Sequence, residues 1–168
     1  ATRAKSGGTL MEVNAHEIDF LRFVAGSEAT SVFAAGGNFI NQDIDFPDAA
    51  LVTICFENGS IGSLHSSDAS AIGGYGGRVD CENGSLVFPR FWGKDAALTY
   101  QIGEDEPVSI PVTDLAGDVT PVAQEIEAFA GAVLAGEIPP VTGEDGRAVV
   151  AIAEAAYASV DTGKPVTL

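Results

Sequence analysis

Positive charge is what this sequence has least of. Eight lysines and arginines stand against 24 aspartates and glutamates in 168 residues, a formal net charge of −16. Nucleic acid and anionic membrane both need a basic footprint, so both are excluded as expected partners. Cysteine is nearly as scarce. Cys55 and Cys81 fall in strand-like runs with no metal spacing and no disulfide framework, and they are expected as buried free thiols of a cytoplasmic protein. No apolar run is long enough to cross a bilayer. The longest, residues 148–160, contains Glu154 and falls short of the ~20 residues a span requires. A dinucleotide fingerprint is also missing: no strand leads into G-x-G-x-x-G and a helix. The glycine cluster Gly73-Gly74-Tyr75-Gly76-Gly77 lies between strands and is no phosphate cradle. The chain opens Ala1-Thr2-Arg3-Ala4-Lys5, without methionine, signal sequence or tag, and the natural N-terminus is expected upstream.

What is present begins with residues 8–26, which read as one amphipathic helix. Leu10, Val13, Phe20 and Val24 recur at helical spacing, predicting one buried stripe. Thr9 and Glu12 fit a capping box, and Gly26 is the stop. Glu12 and His16 are four residues apart, which on a continuous helix places them one turn apart on one face. A carboxylate beside an imidazole is how a general base is oriented. Asp19 is expected to brace the helix from its other side. A hydrolase built on Glu12 and His16 would lack a nucleophile.

Strands follow. Residues 31–40 are β-branched and aromatic, with Gly36-Gly37 marking a bulge or a close approach. Residues 50–56 and 61–65 flank Glu57-Asn58-Gly59-Ser60, and the same four residues return as Glu82-Asn83-Gly84-Ser85. Asn-Gly between such runs predicts hairpins with type I′ turns, positive φ at both central positions. A third pair, 97–102 and 108–112, is joined by an acidic turn. The period then changes to helical. Thr120-Pro121 starts a helix carrying Val122, Ile126, Phe129, Val133 and Leu134 and stopping at Gly136. Thr142 caps another that buries Val149, Ile152, Ala153, Ala156, Tyr157 and Val160 and stops at Gly163. Residues 166–168 could add an edge strand. Helix, strands, then two helices without βαβ alternation predict an α+β fold, a largely antiparallel open β-sheet with helices packed on one face. Residues 51–56 are apolar on both faces, where a half-solvated strand would alternate. The open sheet face is therefore expected to join a second subunit.

In this order the residues resemble the C-terminal domain of the Gfo/Idh/MocA oxidoreductases, which include glucose–fructose oxidoreductase and inositol dehydrogenase. The resemblance rests on Gly8 to Gly26 with its His16-x-Ile18-Asp19 core, Phe56-Glu57-Asn58-Gly59-Ser60, Tyr75-x-x-Arg78-Val79 with Asn83-Gly84-Ser85-Leu86, and Pro139 to Gly146 leading into the last helix and Gly163-Lys164-Pro165-Val166. It implies that residues 1–168 are a single substrate-binding and oligomerisation domain of a two-domain dehydrogenase. NAD or NADP would be bound by an N-terminal Rossmann domain that this chain lacks, along with that half's catalytic lysine. The substrate would be a sugar, cyclitol or polyol, and the piece alone would be inactive. His16 matches the histidine of the family's Asp-x-x-x-His pair, which takes the proton from the sugar hydroxyl as hydride leaves. Glu12 stands where the family has aspartate, a departure that a helix cap would equally explain. Tyr75 matches an aromatic position near the substrate in some members, with Gly76 and Gly77 replacing a polar pair there. Asn14 joins Tyr75 as a substrate-binding candidate. Arg78 is expected to pair with a nearby acid, and His65 to be structural. The alternative reading is a non-catalytic binding or scaffold module with the same fold.

Overall fold

The computed structural model describes residues 2–90, 96–116 and 120–168. In order, the elements are α1 (Arg3–Ser6), α2 (Thr9–Glu12), α3 (Ala15–Ala25), β1 (Ala29–Gly37), β2 (Ala49–Phe56), β3 (Ile61–Ser67), β4 (Gly77–Cys81), β5 (Gly84–Phe88), β6 (Ala97–Ile102), β7 (Val108–Pro111), α4 (Val112–Ala116), α5 (Pro121–Ala135), α6 (Gly143–Thr162) and β8 (Val166–Thr167). The α+β class and the antiparallel pairing are as predicted, and the strands divide between two four-stranded sheets. The chain forms two compact units, one of Ala1–Ala71 with Val141–Leu168, the other of Ile72–Pro140.

The first unit holds a sheet of order β3-β2-β1-β8, with β8 as the expected edge strand. Ala50, Val52, Ile54 and Phe56 alternate inward along β2 and meet Val32 and Ala34 of β1 and Leu64 of β3. From the other side the core is closed by Leu10, Ile18 and the α6 face Val149, Ile152, Ala153, Ala156 and Tyr157. The α6 start is a full capping box: Thr142 Oγ1 accepts the Asp145 N–H, and the Asp145 carboxylate accepts the Thr142 N–H at 2.9 Å. Its end at Gly163 takes a left-handed φ of 66°, as the glycine stop requires.

The second unit holds the sheet β4-β5-β6-β7. Arg78 reaches Asp80 through Nε (2.9 and 2.8 Å) and Nη2 (2.7 Å), and Ser85 Oγ donates to the same carboxylate at 2.7 Å. The Arg78 and Ser85 hydrogen bonds hold Asp80 at a pKa of about 2. Helix α5 forms with the predicted Thr120 cap and Pro121 start. Its stripe is a correction: Val122, Ile126, Phe129, Val133 and Leu134 are all exposed, and α5 buries no residue.

Two smaller expectations also fail. Neither Asn-Gly turn is type I′. Gly59 alone takes positive φ (86°), because no non-glycine residue among those described does. The Asn58 side chain instead donates to the Ala25 carbonyl (2.8 Å) and accepts from Ser60 N (3.0 Å), building a wider loop. Gly84 has ordinary φ and is required by space, since a Cβ there would sit 2.2 Å from the Gln101 carbonyl oxygen. Cys81 is exposed and Cys55 half-buried, where buried thiols were expected. No helix among the described residues is long and apolar enough to cross a membrane.

One buried charge fixes the connection between β1 and β2. Asp48 is 1 % exposed, and its carboxylate accepts the backbone N–H groups of Phe39 (2.9 Å), Ile40 (2.7 Å) and Asn41 (2.7 Å). These bonds depress its pKa below the ordinary carboxylate value. A depressed folded pKa contributes stability that is present above the unfolded value, about 3.9, and is lost as pH falls through the lower folded one. Thermal melts followed by circular dichroism should therefore show Tm dropping as pH is taken from 5 towards 2. Asp48→Asn should lower Tm at pH 7 and make that acid slope shallower; an unchanged slope would assign the acid sensitivity to other carboxylates.

Candidate active site

The opening helix is broken. Thr9–Glu12 and Ala15–Ala25 are separate helices, because the Thr9 carbonyl accepts from both Val13 N and Asn14 N (3.0 Å each) and takes the chain out of the α register. Asn14 sits in the bridge region (φ −85°, ψ 6°), and its carbonyl restarts the ladder by accepting Ile18 N at 3.0 Å. The break turns the buried face. Leu10 remains inside, but Val13 is 55 % and Val24 38 % exposed, and α3 instead faces the core with Ala15, Ile18, Leu21 and Ala25.

This changes the setting of the candidate pair. Thr9 and Glu12 do not form the expected capping box: the N-cap of α2 is Gly8, which makes no side-chain cap, and the Thr9 hydroxyl donates to the Asp68 carboxylate instead. Glu12 therefore does no capping. Glu12 ends α2 and His16 opens α3, both exposed, so they flank a turn and do not share one helical face. Among the described residues the two side chains make no hydrogen bond to each other. Asn14, between them, is 7 % exposed. Its amide donates to Glu17 at 3.2 Å, while its own Oδ1 is buried without a partner among the described residues.

The far half of α3 is held ionically. Arg22, 9 % exposed, pairs with Glu28 (2.8 Å), Asp19 (3.2 Å) and Asp145 (3.5 Å). Asp19 thus braces α3 as expected. Burial works against the Arg22 charge, but the hydrogen bond and charge of Glu28, followed by Asp145, outweigh it and raise its pKa. A cleft of about 390 Å³ lies here, lined by Arg22, Glu28, Glu144, Asp145 and Arg147 among others; it contains none of the candidate residues.

Tyr75 belongs to the second unit, where it forms an isolated bridge with Arg90. Arg78 pairs with an acid, as predicted. His65 stands exposed on β3 opposite Leu51. No group of three or more His, Cys, Asp or Glu side chains among the described residues could hold a metal ion. Every named strand pairs antiparallel, and Gly73 to Gly76 directly precede β4.

Sequence reasoning missed the residues that hold this turn. The helical pattern marks Tyr157 only as an apolar core position, yet its Oη accepts the Leu10 N–H at 3.0 Å. Asp68 carries no sequence signal of its role. The one local signal was the pair Gly7-Gly8, both at positive φ (80° and 73°), which announces a backbone under tight constraint.

Comparison with known proteins agrees with this architecture. The model of the GFO/IDH/MocA C-terminal domain matches residues 1–87, which include the broken helix and the whole β1–β3 hairpin run. An uncharacterized oxidoreductase of Bacillus subtilis (strain 168), YrbE, is 29 % identical over 177 residues, covering 97 % of this chain and 49 % of its own length. Myo-inositol 2-dehydrogenase of Thermotoga maritima is 26 % identical over 179 residues, with 97 % and 50 % covered. Among solved structures, an oxidoreductase from Agrobacterium radiobacter in complex with NAD+, L-tartaric acid and magnesium superposes with a TM-score of 0.77 at 19 % identity, over 92 % of this chain and 47 % of that one; this likeness is one of fold. The chain spans about half the length of the curated relatives it matches. With the family model covering more than half of its residues, the chain belongs to the GFO/IDH/MocA C-terminal domain family.

Proposed function

We propose that this chain is the substrate-binding and oligomerisation half of an NAD(P)-dependent oxidoreductase acting on a secondary alcohol of a sugar, cyclitol or related polyol. The observation that carries the reading is the turn within residues 9–16: inside the segment matched by the family model, it sets a carboxylate and an imidazole on open surface. His16 is the proton acceptor. A ring nitrogen of its imidazole can take the hydroxyl proton as the carbon is oxidised. Glu12, released from capping, is free to orient the imidazole or the substrate. Asn14 lies within the turn with its side chain buried and its amide donated to Glu17, and this reading gives it no contact with substrate. Tyr75 is retained as a substrate contact. The inositol dehydrogenase among the relatives favours a cyclitol or polyol as substrate class.

In this reading the nicotinamide is bound by an N-terminal domain of the two-domain enzyme. When bound, the nicotinamide supplies the hydride acceptor. In the two-domain enzyme, His16→Ala should lower kcat by about 100-fold or more, the scale of a lost general base. The measurement is nicotinamide absorbance across a panel of polyols with NAD+ and NADP+. An unchanged kcat would favour the alternative, a binding or scaffold module that keeps the fold without the chemistry.

The outer face of the β1–β3 sheet is the proposed subunit contact. Across the register it shows Phe33, Thr53 and Ser63, then Ala35, Leu51 and His65, with Ile61 at the end. Phe33, Leu51 and Ile61 are 42 %, 61 % and 71 % exposed. In a chain with 24 acidic residues, none of these is a carboxylate. A second copy can therefore approach without the repulsion the rest of the surface imposes. Sedimentation at micromolar concentration should show a dimer or larger species that Leu51→Asp shifts to monomer. A monomer before substitution would overturn the assignment.

A further inference from the structure

The turn bearing Glu12 and His16 is open on one side and bolted on the other, and the bolts come from distant parts of the chain. Thr9 is 7 % exposed, and its hydroxyl donates to Asp68 just beyond β3. Asp68 is itself anchored: its N–H donates to the Asp48 carbonyl at 2.8 Å, and Asp48 is fixed by the backbone donors of residues 39–41. The second bolt is Tyr157. Its phenol oxygen, buried in α6, accepts the Leu10 N–H at 3.0 Å. The backbone presses against it closely enough that a Cβ on Gly8 would lie 2.4 Å from Oη and 2.9 Å from Phe46 Cγ, at a φ of 73°. The Arg3 guanidinium covers the ring at 4.1 Å and pairs with Asp161 at 3.4 Å. Both bolts engage the first two residues of α2, and Glu12 follows only ~4.5 Å of helix rise later.

We infer that Asp68 and Tyr157 are positioning residues, which fix the start of α2 and through it the placement of Glu12 and His16. This rests on the function proposed above for His16. A bolt serving only overall stability would change the melting temperature and leave the His16 environment alone. A positioning bolt moves the imidazole without unfolding the unit.

The test uses the 168-residue chain, which contains two histidines, so the imidazole proton signals in NMR are assigned with His16→Ala and His65 serves as internal control. Thr9→Val removes the hydroxyl at nearly constant volume, and Tyr157→Phe removes the phenol oxygen while keeping the ring under Arg3. Each should shift the His16 signals and speed amide exchange at residues 10–12 by about tenfold or more, with the His65 signals in place. Thr9→Ser should restore the original pattern. Should Thr9→Val unfold the chain, the exposed Asp68 gives the same comparison: Asp68→Ala should shift His16, and Asp68→Asn, which keeps an acceptor oxygen, should not. His16 signals that stay unmoved in both Tyr157→Phe and Asp68→Ala overturn the inference. In the two-domain enzyme the positioning variants should lose kcat, on the order of 100-fold for a displacement near 1 Å, with KM nearly unchanged. A His16→Ala enzyme that keeps its kcat would sink the proposed function while leaving the NMR result standing, so the two failures are separable.

Discussion

The buried face of α6 is the constraint from which the first unit is built. One helix supplies apolar packing to the sheet and, at two points, polar atoms that accept backbone N–H groups of other elements. Strand β8 is two residues long and pairs only with Ser31 and Val32 of β1. The N–H of Ala34, beyond its reach, is taken by Ser159 Oγ at 2.8 Å, and that hydroxyl donates onward to the Lys164 carbonyl at 2.7 Å. A buried, unpaired amide costs about 1–3 kcal/mol, so a fully buried serine is here the stable choice. Two residues earlier Tyr157 does the same for Leu10, and burial pushes its phenol pKa up, keeping it neutral beside the core. The sheet edge and the start of α2 thus depend on the same two turns of helix.

This explains why the architecture was largely readable and the site geometry was not. The strand-like runs at 50–56 and 61–65 on either side of Asn58-Gly59, and the helical stripe from Val149 to Val160, are local signals, and they place β2, β3 and α6 correctly. The Thr142 and Thr120 caps and the glycine stops at Gly26, Gly136 and Gly163 act within a few residues, and all form. The break at Val13–Asn14 has no local signature of that kind. Leu10, Val13, Phe20 and Val24 do repeat at helical spacing, but propensity gives way to tertiary bonding: Asp68 and Tyr157, 59 and 147 residues from their partners, decide where α2 starts. The Asn-Gly turns fail for a related reason. Asn58 spends its side chain on the Ala25 carbonyl, and Gly84 answers to the Gln101 backbone across the sheet.

Charge is distributed with the same economy of place. An excess of 16 negative charges disfavours association in general, and against that background a neutral, apolar sheet face is informative in a way it would not be on a neutral protein. The acids within the first unit are mostly committed. Asp48 binds a loop backbone, Asp145 caps α6, and Asp19, Glu28 and Asp145 converge on Arg22. Glu12 is not one of these: it is an exposed carboxylate one residue short of the break, with neither cap nor cation among the described residues.

A helix optimised for stability alone would run unbroken from Thr9 to Ala25, with its capping box closed. The observed segment gives up that cap, exposes Val13, and leaves Asn14 Oδ1 buried without a partner among the described residues. The last of these alone costs about 1–3 kcal/mol. Proteins keep such local violations where a different requirement governs the backbone. Here all three fall between Glu12 and His16 or within three residues of them, while the bonds that enforce them lie on the buried side. That concentration ties the broken helix to the chemistry proposed for Glu12 and His16 more closely than their spacing in the sequence does.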